Sequence, residues 1–200
     1  MTELSTLANA LLAARPAEPN PSPAAVVEQL RTLASLALEL GTELGADLRR
    51  FAELTVELGD SRLAECLLDL PLRLANANES DSALAVARLF EFIAPDKLRG
   101  DSAVILAQAG HRDEALARVA ENLERAQDTA LAESKAGDAY RALGDDDAAQ
   151  AYYRRALAEA KTPFERAEAV LRIVSLLSDA GRESEAARFL AEERKRPAGG

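Results

Sequence analysis

The sequence predicts an all-α protein, and three observations carry that prediction. The 200 residues include 43 Ala and 32 Leu, but only five Phe, three Tyr and no Trp. Ala and Leu enter helices at little cost, whereas β-branched and aromatic residues favour strands. Alternating patterns typical of strands are not evident, and glycines flanked by helical patterns recur along the chain. The sequence therefore predicts an array of helices within one domain-sized unit.

The charge and the rare side chains exclude several classes of function. With 24 Lys and Arg against 34 Asp and Glu, the net charge is −10, which argues against nucleic acid or an anionic membrane as partner. Cys66 and His111 are the only residues of their types, so neither a disulfide framework nor an ordinary Cys/His zinc site is expected. We expect no cofactor, no metal and no catalytic residue, with Cys66 as an inert buried thiol.

The first 23 residues predict a separate helix on a spacer. Residues 1–14 place five apolar side chains on one stripe: Leu4, Leu7, Ala8, Leu11 and Leu12. Residues 15–23 (RPAEPNPSP) hold four prolines and predict an extended linker. This linker is long enough for the helix to dock on its own chain or on a second copy, so a homodimer through residues 1–14 stays open. Because residues 1–14 lack a basic segment and no long uncharged apolar run follows, a cytoplasmic location is expected.

Residues 24–95 predict a helical N-terminal layer with one weak repeat. Ser22 and Pro23 favour a helix start, and the apolar phase from Val26 continues to Leu58. A break near Gly41 and Thr42 is favoured, with one long helix over 24–58 as the alternative. Further helices are expected at 61–70 and 81–93, and residues 76–80 form the least structured internal stretch.

Residues 96–196 carry the clearest internal repetition, and residues 197–200 are expected to be a disordered tail. Helices are predicted at 101–109, 112–126, 129–143, 146–160, 163–180 and 182–195, with Thr162, Pro163 and Glu165 forming a capping box. Four glycines separate helices, and an alanine follows each by five residues: Gly59 and Ala64, Gly110 and Ala115, Gly144 and Ala149, Gly181 and Ala186. The glycine ends one helix, and the small alanine lets the two helix axes approach.

This pattern resembles the tetratricopeptide repeat family. The likeness is closest in residues 136–144 (AGDAYRALG), with Gly137 and Tyr140, followed by Ala149 and Tyr153. The resemblance implies a right-handed α-solenoid of stacked helix-turn-helix repeats. The 51 residues between Gly59 and Gly110 exceed one repeat, so the helix at 81–93 is expected to be intercalated.

The resemblance also implies a function, namely a non-enzymatic scaffold that binds a protein partner through a concave face. On the predicted helices 129–143 and 163–180, the face left open by the core comprises Leu131, Ser134, Asp138, Arg141, Glu168, Leu171, Ser175 and Ser178. Family members that clamp a terminal carboxylate use Lys and Asn on this face, whereas Asp138 and Glu168 predict a basic or neutral ligand. A self-associating structural protein that exchanges its N-terminal helix is the alternative.

Overall fold

The protein is all-α in a computed structural model that describes residues 2–14, 22–60 and 62–195. Most of the predicted linker and the whole predicted tail lie outside these residues. Within them the chain forms eleven helices and no strand: α1 Glu3–Ala13, α2 Pro23–Leu44, α3 Leu48–Leu58, α4 Arg62–Asn76, α5 Ser80–Leu89, α6 Pro95–Gln108, α7 Arg112–Arg125, α8 Thr129–Ala142, α9 Asp146–Glu159, α10 Pro163–Asp179 and α11 Glu183–Lys195. None of the helices in this described part has the length and apolar character needed to cross a membrane.

The break after α2 lies at Gly45, so the predicted break at Gly41 is wrong. Gly41 sits inside the helix, where a Cβ would overlap the side chain of Leu89 on α5. Gly45 ends α2 in the left-handed conformation, with φ of 65°, and Asp47 then caps α3. The missing side chain of Gly41 therefore allows α2 and α5 to approach each other closely. Sequence spacing alone does not distinguish this role of a glycine from its role at the end of a helix.

Four helical hairpins share one type of turn. The pairs are α4/α5, α6/α7, α8/α9 and α10/α11, and the residue in the left-handed conformation at their turns is Asn78, Gly110, Gly144 and Gly181 in order. In each turn the following backbone N–H donates to the carbonyl five residues earlier, at 2.8 to 3.0 Å. Residues 76–80, predicted to be the least structured internal stretch, form the first of four equivalent turns, because asparagine tolerates this conformation better than most residues.

The assignment of the weak repeat to Gly59 and Ala64 is wrong, because the equivalent turn is at Asn78. The alanine five residues after it, Ala83, is fully buried, as are its counterparts in the other three hairpins to within 4% exposure: Ala115, Ala149 and Ala186. Ala64 is only half-buried, and α3 packs chiefly against α1. The helix expected at 81–93 is therefore not intercalated, since it is the second helix of a hairpin.

Two helix boundaries differ from the prediction around residue 95. α5 ends at Leu89, and α6 begins at Pro95 rather than at residue 101. α6 is surrounded by α4, α5, α7 and α8, and every residue from Leu98 to Ala107 is buried. A helix buried on all sides shows no amphipathic period, which is why its first two turns escape a pattern search.

The buried apolar side chains divide into one large cluster and three small ones. The large cluster joins α1 to α6 and is rich in fully buried leucines, among them Leu40, Leu63 and Leu67. α1 contributes Ala8 and Leu11, both fully buried, and contacts α2, α3 and α4 of its own chain. Cys66 lies half-buried at the edge of this cluster rather than within it, contrary to the prediction.

The small clusters lie between the hairpins of the C-terminal half. Tyr153 is the largest fully buried side chain there, and its ring fills the space left by the absent Cβ of Gly137. Tyr140, which belongs to the repeat pattern, is half-buried and stacks on Tyr152 with ring centroids 5.1 Å apart. On α10 the buried residues are Ala169, Ile173, Leu176 and Leu177, whereas Val170 and Val174 are only half-buried.

Candidate interaction surface

The predicted concave residues lie on α8 and α10, and the structure brings these two helices together as expected. The Arg172 guanidinium Nε donates to Asp138 Oδ1 at 3.1 Å, and Arg141 Nη2 donates to Ser175 Oγ at 3.3 Å. Arg141 also pairs with Asp179. The two helices therefore run side by side, with Asp138 and Arg141 facing α10.

The polar contacts between successive first helices share one register. Asp101 and Lys135 join α6 to α8, Asp138 and Arg172 join α8 to α10, and in both pairs the residues are 34 positions apart. The contact between Arg141 and Ser175 has the same separation. The helices thus stack without slipping, although α10 has 17 residues and α8 has 14, because the additional residues extend α10 at its C-terminal end.

These contacts belong to a chain of alternating charges that crosses four helices, here called the ion-pair ladder. Each member lies within 3.9 Å of the next, and the two shortest steps are 2.5 Å between Lys135 and Asp101 and 2.7 Å between Arg172 and Glu168. In spatial order from α4 to α10 its members are Asp69, Lys97, Asp101, Lys135, Asp138, Arg172 and Glu168. Asp69, Asp101, Lys135 and Arg172 each stand nine residues before the turn residue of their hairpin, so the ladder is built on the repeat itself.

Burial is greatest at the centre of the ladder. The Asp101 side chain is fully buried and that of Lys135 is 8% exposed, whereas Asp69 at one end is 70% exposed. Charges removed from water are tolerated when each has an opposite charge at contact distance, as here. The centre of the ladder therefore stabilises one arrangement of helices and presents no charge to a ligand.

Tyr153 and Arg172 connect the ladder to the buried core. The Tyr153 hydroxyl donates to Asp138 Oδ1 at 2.8 Å. Burial, and then the Asp138 carboxylate, raises the pKa of Tyr153 well above its ordinary value, so the phenol stays protonated. Burial opposes the charge of Arg172, but the carboxylates of Asp138 and Glu168 outweigh it and raise the pKa of Arg172.

The face predicted as one open surface divides into a closed part and an open part. Ser134 is buried, Leu131 is half-buried, and the carboxylate of Asp138 is occupied by Tyr153 and Arg172. These placements overturn the prediction that Ser134 and Asp138 are open to a partner.

At α6 the face is closed, because Val104 packs with Leu72 of α4 in one cluster. The open part lies on α10 and comprises Leu171, Ser175 and Ser178, whereas Glu168 is half-buried and pairs with Arg172.

The prediction missed Phe164, which belongs to this open part. Its side chain is 74% exposed, and that of Leu171, seven residues later, is 62% exposed. Residues seven apart lie on one stripe of a helix, so the two large apolar groups share a face. The seven-residue spacing of Phe164 and Leu171 is visible in the sequence. Phe164 directly follows Thr162 and Pro163, which mark the helix start, and so it is not included in the predicted face.

A second polar cluster lies on the other side of α6 and has a structural role. The Glu91 carboxylate accepts from Arg99 Nε at 3.1 Å and also pairs with Arg118. Asp96 Oδ2 accepts from the backbone N–H groups of residues 127–128 at 2.9 and 2.8 Å, which holds the turn between α7 and α8. The polar atoms in this cluster are therefore used to join α6 to its neighbours.

Among the cavities at the surface of the described residues are two of about 560 and 420 Å³. The larger lies beside the turns at Gly144 and Gly181 and is lined by charged groups, among them Arg112 and Asp146. The smaller lies between α5, α6 and α7, where Arg118 is already engaged by Glu91 and Glu121. His111 is exposed at the start of α7, and the described residues contain no group of three metal-ligating side chains.

No family model matches the chain, and no curated protein matches it.

Proposed function

We propose that the chain is a cytoplasmic, non-enzymatic interaction module that binds another protein through the open face of α10. The observation that carries this proposal is the pair Phe164 and Leu171, which leave large apolar side chains in water on one stripe. Exposed apolar groups that share a face, with polar groups around them, are typical of protein contact surfaces. The charges of the ion-pair ladder beside them pair with one another. Phe164 and Leu171 are therefore the groups on this face that are left to contact a partner.

The repeat features support a tetratricopeptide-like solenoid as the scaffold for this surface. Four hairpins share one turn geometry and one buried alanine position, and the contacts that join α6 to α8 and α8 to α10 share one register. In such arrays each unit contacts its neighbours, and the first helices present a continuous surface to partners. Because the face is closed at α6 by Leu72 and Val104, we place the contact on the last hairpin rather than along the whole array.

A binding role is favoured over a catalytic one because the titratable groups of the two polar clusters are engaged with one another. The carboxylates and cations of the ion-pair ladder are engaged with one another, and Glu91 is engaged with Arg99 and Arg118. A general base or nucleophile needs a group that is available to substrate. The alternative function, exchange of α1 between chains, has less support because α1 packs in its own chain with Leu11 fully buried.

Site-specific crosslinking in the native host tests the proposal. A photoreactive amino acid replaces Leu171 in one chain and Val56, 82% exposed on α3, in a matched control. We expect a crosslinked protein at position 171 that is absent at position 56, and Leu171→Asp should abolish capture of the same protein by the tagged chain. Equal crosslinking at both positions, or capture unaffected by Leu171→Asp, would refute the assignment of this face.

A further inference from the structure

The open face of α10 is defined by a stripe of two large and three small side chains, here called the α10 stripe. Its members are Phe164, Ala167, Leu171, Ser175 and Ser178, all of which are exposed. Leu48, Val56, Phe164 and Leu171 are the exposed large hydrophobic residues of the described chain, and the first two lie on α3. The α10 stripe therefore holds both such residues of the C-terminal half.

The α10 stripe is complementary to itself when read in the opposite direction. Leu171 is the midpoint of the 17-residue helix from Pro163 to Asp179. In an antiparallel pair centred there, Leu171 meets its own copy, the large Phe164 lies opposite the small Ser178, and Ala167 lies opposite Ser175. Large side chains that face small ones let two helices interdigitate.

Charge is also complementary in this arrangement. Asp179 at the C-terminal end pairs with Arg141 of its own chain but keeps 63% of its side chain exposed, and antiparallel pairing brings it beside the N-terminus of the other α10, which carries partial positive charge. A parallel pair would place Asp179 beside its own copy, where the two carboxylates repel each other. The charges therefore favour the antiparallel direction.

From these features we propose that the partner bound by the α10 stripe is a second copy of this chain, in a two-fold symmetric dimer with Leu171 on the axis. The proposal rests on the proposed function, since it names the protein that the same face binds. Within one chain, α1 is already docked, and residues 15–21 (RPAEPNP) and 196–200 (RPAGG) carry no large apolar side chain to place on this face. A two-fold axis makes one self-complementary patch sufficient for a closed pair.

The size of the face determines how strong this dimer is. A helix of 17 residues is about 25 Å long and about 10 Å wide, so it covers about 250 Å² per protomer. Stable interfaces bury about 800 Å² per partner, so the helix pair forms a weak dimer that dissociates on dilution. Weak pairing at this face also allows other chains to compete for it.

The test combines solution mass with crosslinking that depends on the register. Sedimentation of the full chain over a wide concentration range should show reversible dimerisation, and Leu171→Asp should raise the dissociation constant by at least about tenfold. Val56→Asp on α3 is the matched control and should leave the constant unchanged. A thermal melt of each variant verifies that the fold is retained, as expected for residues with exposed side chains.

Cysteine pairs distinguish the direction of the helices. In the antiparallel dimer two copies of Phe164→Cys lie about 21 Å apart along the axis. A short thiol crosslinker should therefore join Phe164→Cys to Ser178→Cys in a mixture of the two variants, but neither variant to itself, while Leu171→Cys should crosslink to itself. The unmodified chain, which contains Cys66, controls for background.

Each outcome decides the proposal. A chain that stays monomeric at all concentrations, or a dimer unaffected by Leu171→Asp, overturns it. Self-crosslinking of Phe164→Cys and Ser178→Cys indicates a parallel or random contact and also overturns it. If the chain is monomeric while position 171 still captures another protein in the host, the dimer fails and the proposed function stands; if both experiments are negative, both proposals fail.

Discussion

The N-terminal and C-terminal halves of the molecule are held together by different means. The first half shares one cluster of fully buried leucines that reaches from α1 to α6. The second half has three small clusters rich in alanine and adds the ion-pair ladder across its first helices. An ion pair weakens as its charged groups move apart, so a shift of one helix along its neighbour would separate the pairs of the ladder. The comparison indicates that the ladder determines the 34-residue register where the apolar contacts are small.

The largest effect should come from breaking the ladder at its buried centre. Lys135→Met removes the cation that lies 2.5 Å from the fully buried Asp101. Loss of one partner from a buried pair leaves an undercompensated charge, and we expect a loss of about 3–5 kcal/mol in the free energy of unfolding. Urea denaturation measures it. Asp69→Asn at the exposed end is the control and should cost less than about 1 kcal/mol; equal losses would show that the ladder is not a buried structural element.

The second largest effect should come from removing buried volume from the leucine cluster. Leu11 on α1 is fully buried, so Leu11→Ala should cost about 2–4 kcal/mol through lost burial and the cavity left behind. Leu12→Ala, at a half-buried position on the same helix, should cost less. Unfolding followed at two protein concentrations completes the test. A concentration-dependent loss would show that α1 docks on another chain, whereas a constant loss is expected from the contacts observed within one chain.

The alanine contacts that space the hairpins can be probed by adding volume. Ala149 is fully buried between α8 and α9, and Ala151, two residues later, is exposed. Ala149→Leu should overpack this contact and cost about 1–3 kcal/mol, while Ala151→Leu should be neutral. Thermal melts of the two variants provide the measurement. Similar melting temperatures would mean that the close approach of these helices is wrongly placed.

The helical class, the three C-terminal hairpins and the capping box at Thr162 could be predicted from composition and local spacing. Such features depend on residues close in sequence, which a single chain displays directly. The first hairpin could not be found in this way, because Asn78 takes the place of a glycine. The first turns of α6 could not be found either, because a helix buried on all sides shows no amphipathic period. Gly41 was misread because close packing and helix termination use the same residue.

The open face was harder to predict than the fold, because it depends on what each side chain contacts in three dimensions. The pattern of the helix taken alone places Asp138 and Leu131 on an exposed face. In the structure, Tyr153 and Arg172 donate hydrogen bonds to the carboxylate of Asp138. Long-range pairs such as Asp101 and Lys135 leave no local signal except their common place in the repeat. Leu171, Ser175 and Ser178 are exposed as predicted, and Phe164 is a further member that the analysis of helix ends concealed.

The smallest expected effect concerns the hydroxyl that connects the small core to the ladder. Tyr153→Phe removes the donor that lies 2.8 Å from Asp138, while Arg172 still pairs with that carboxylate, so the loss should be about 1 kcal/mol at neutral pH.

The Tyr153→Phe variant should also change the pH dependence of stability. Burial raises the pKa of Tyr153 in the folded chain, so above about pH 10 the unfolded chain releases a proton that the folded chain retains. The contribution is therefore fully present below the unfolded pKa and is lost as pH rises above it. Between about pH 9 and pH 11 the wild-type chain should lose stability more steeply than Tyr153→Phe, and the difference between them should shrink. Tyr140, whose pKa is also raised, is present in both chains and cancels in this difference. Parallel stability curves over that range would show that Tyr153 ionises as freely in the folded chain as in the unfolded one, and hence that its hydroxyl is not held against Asp138.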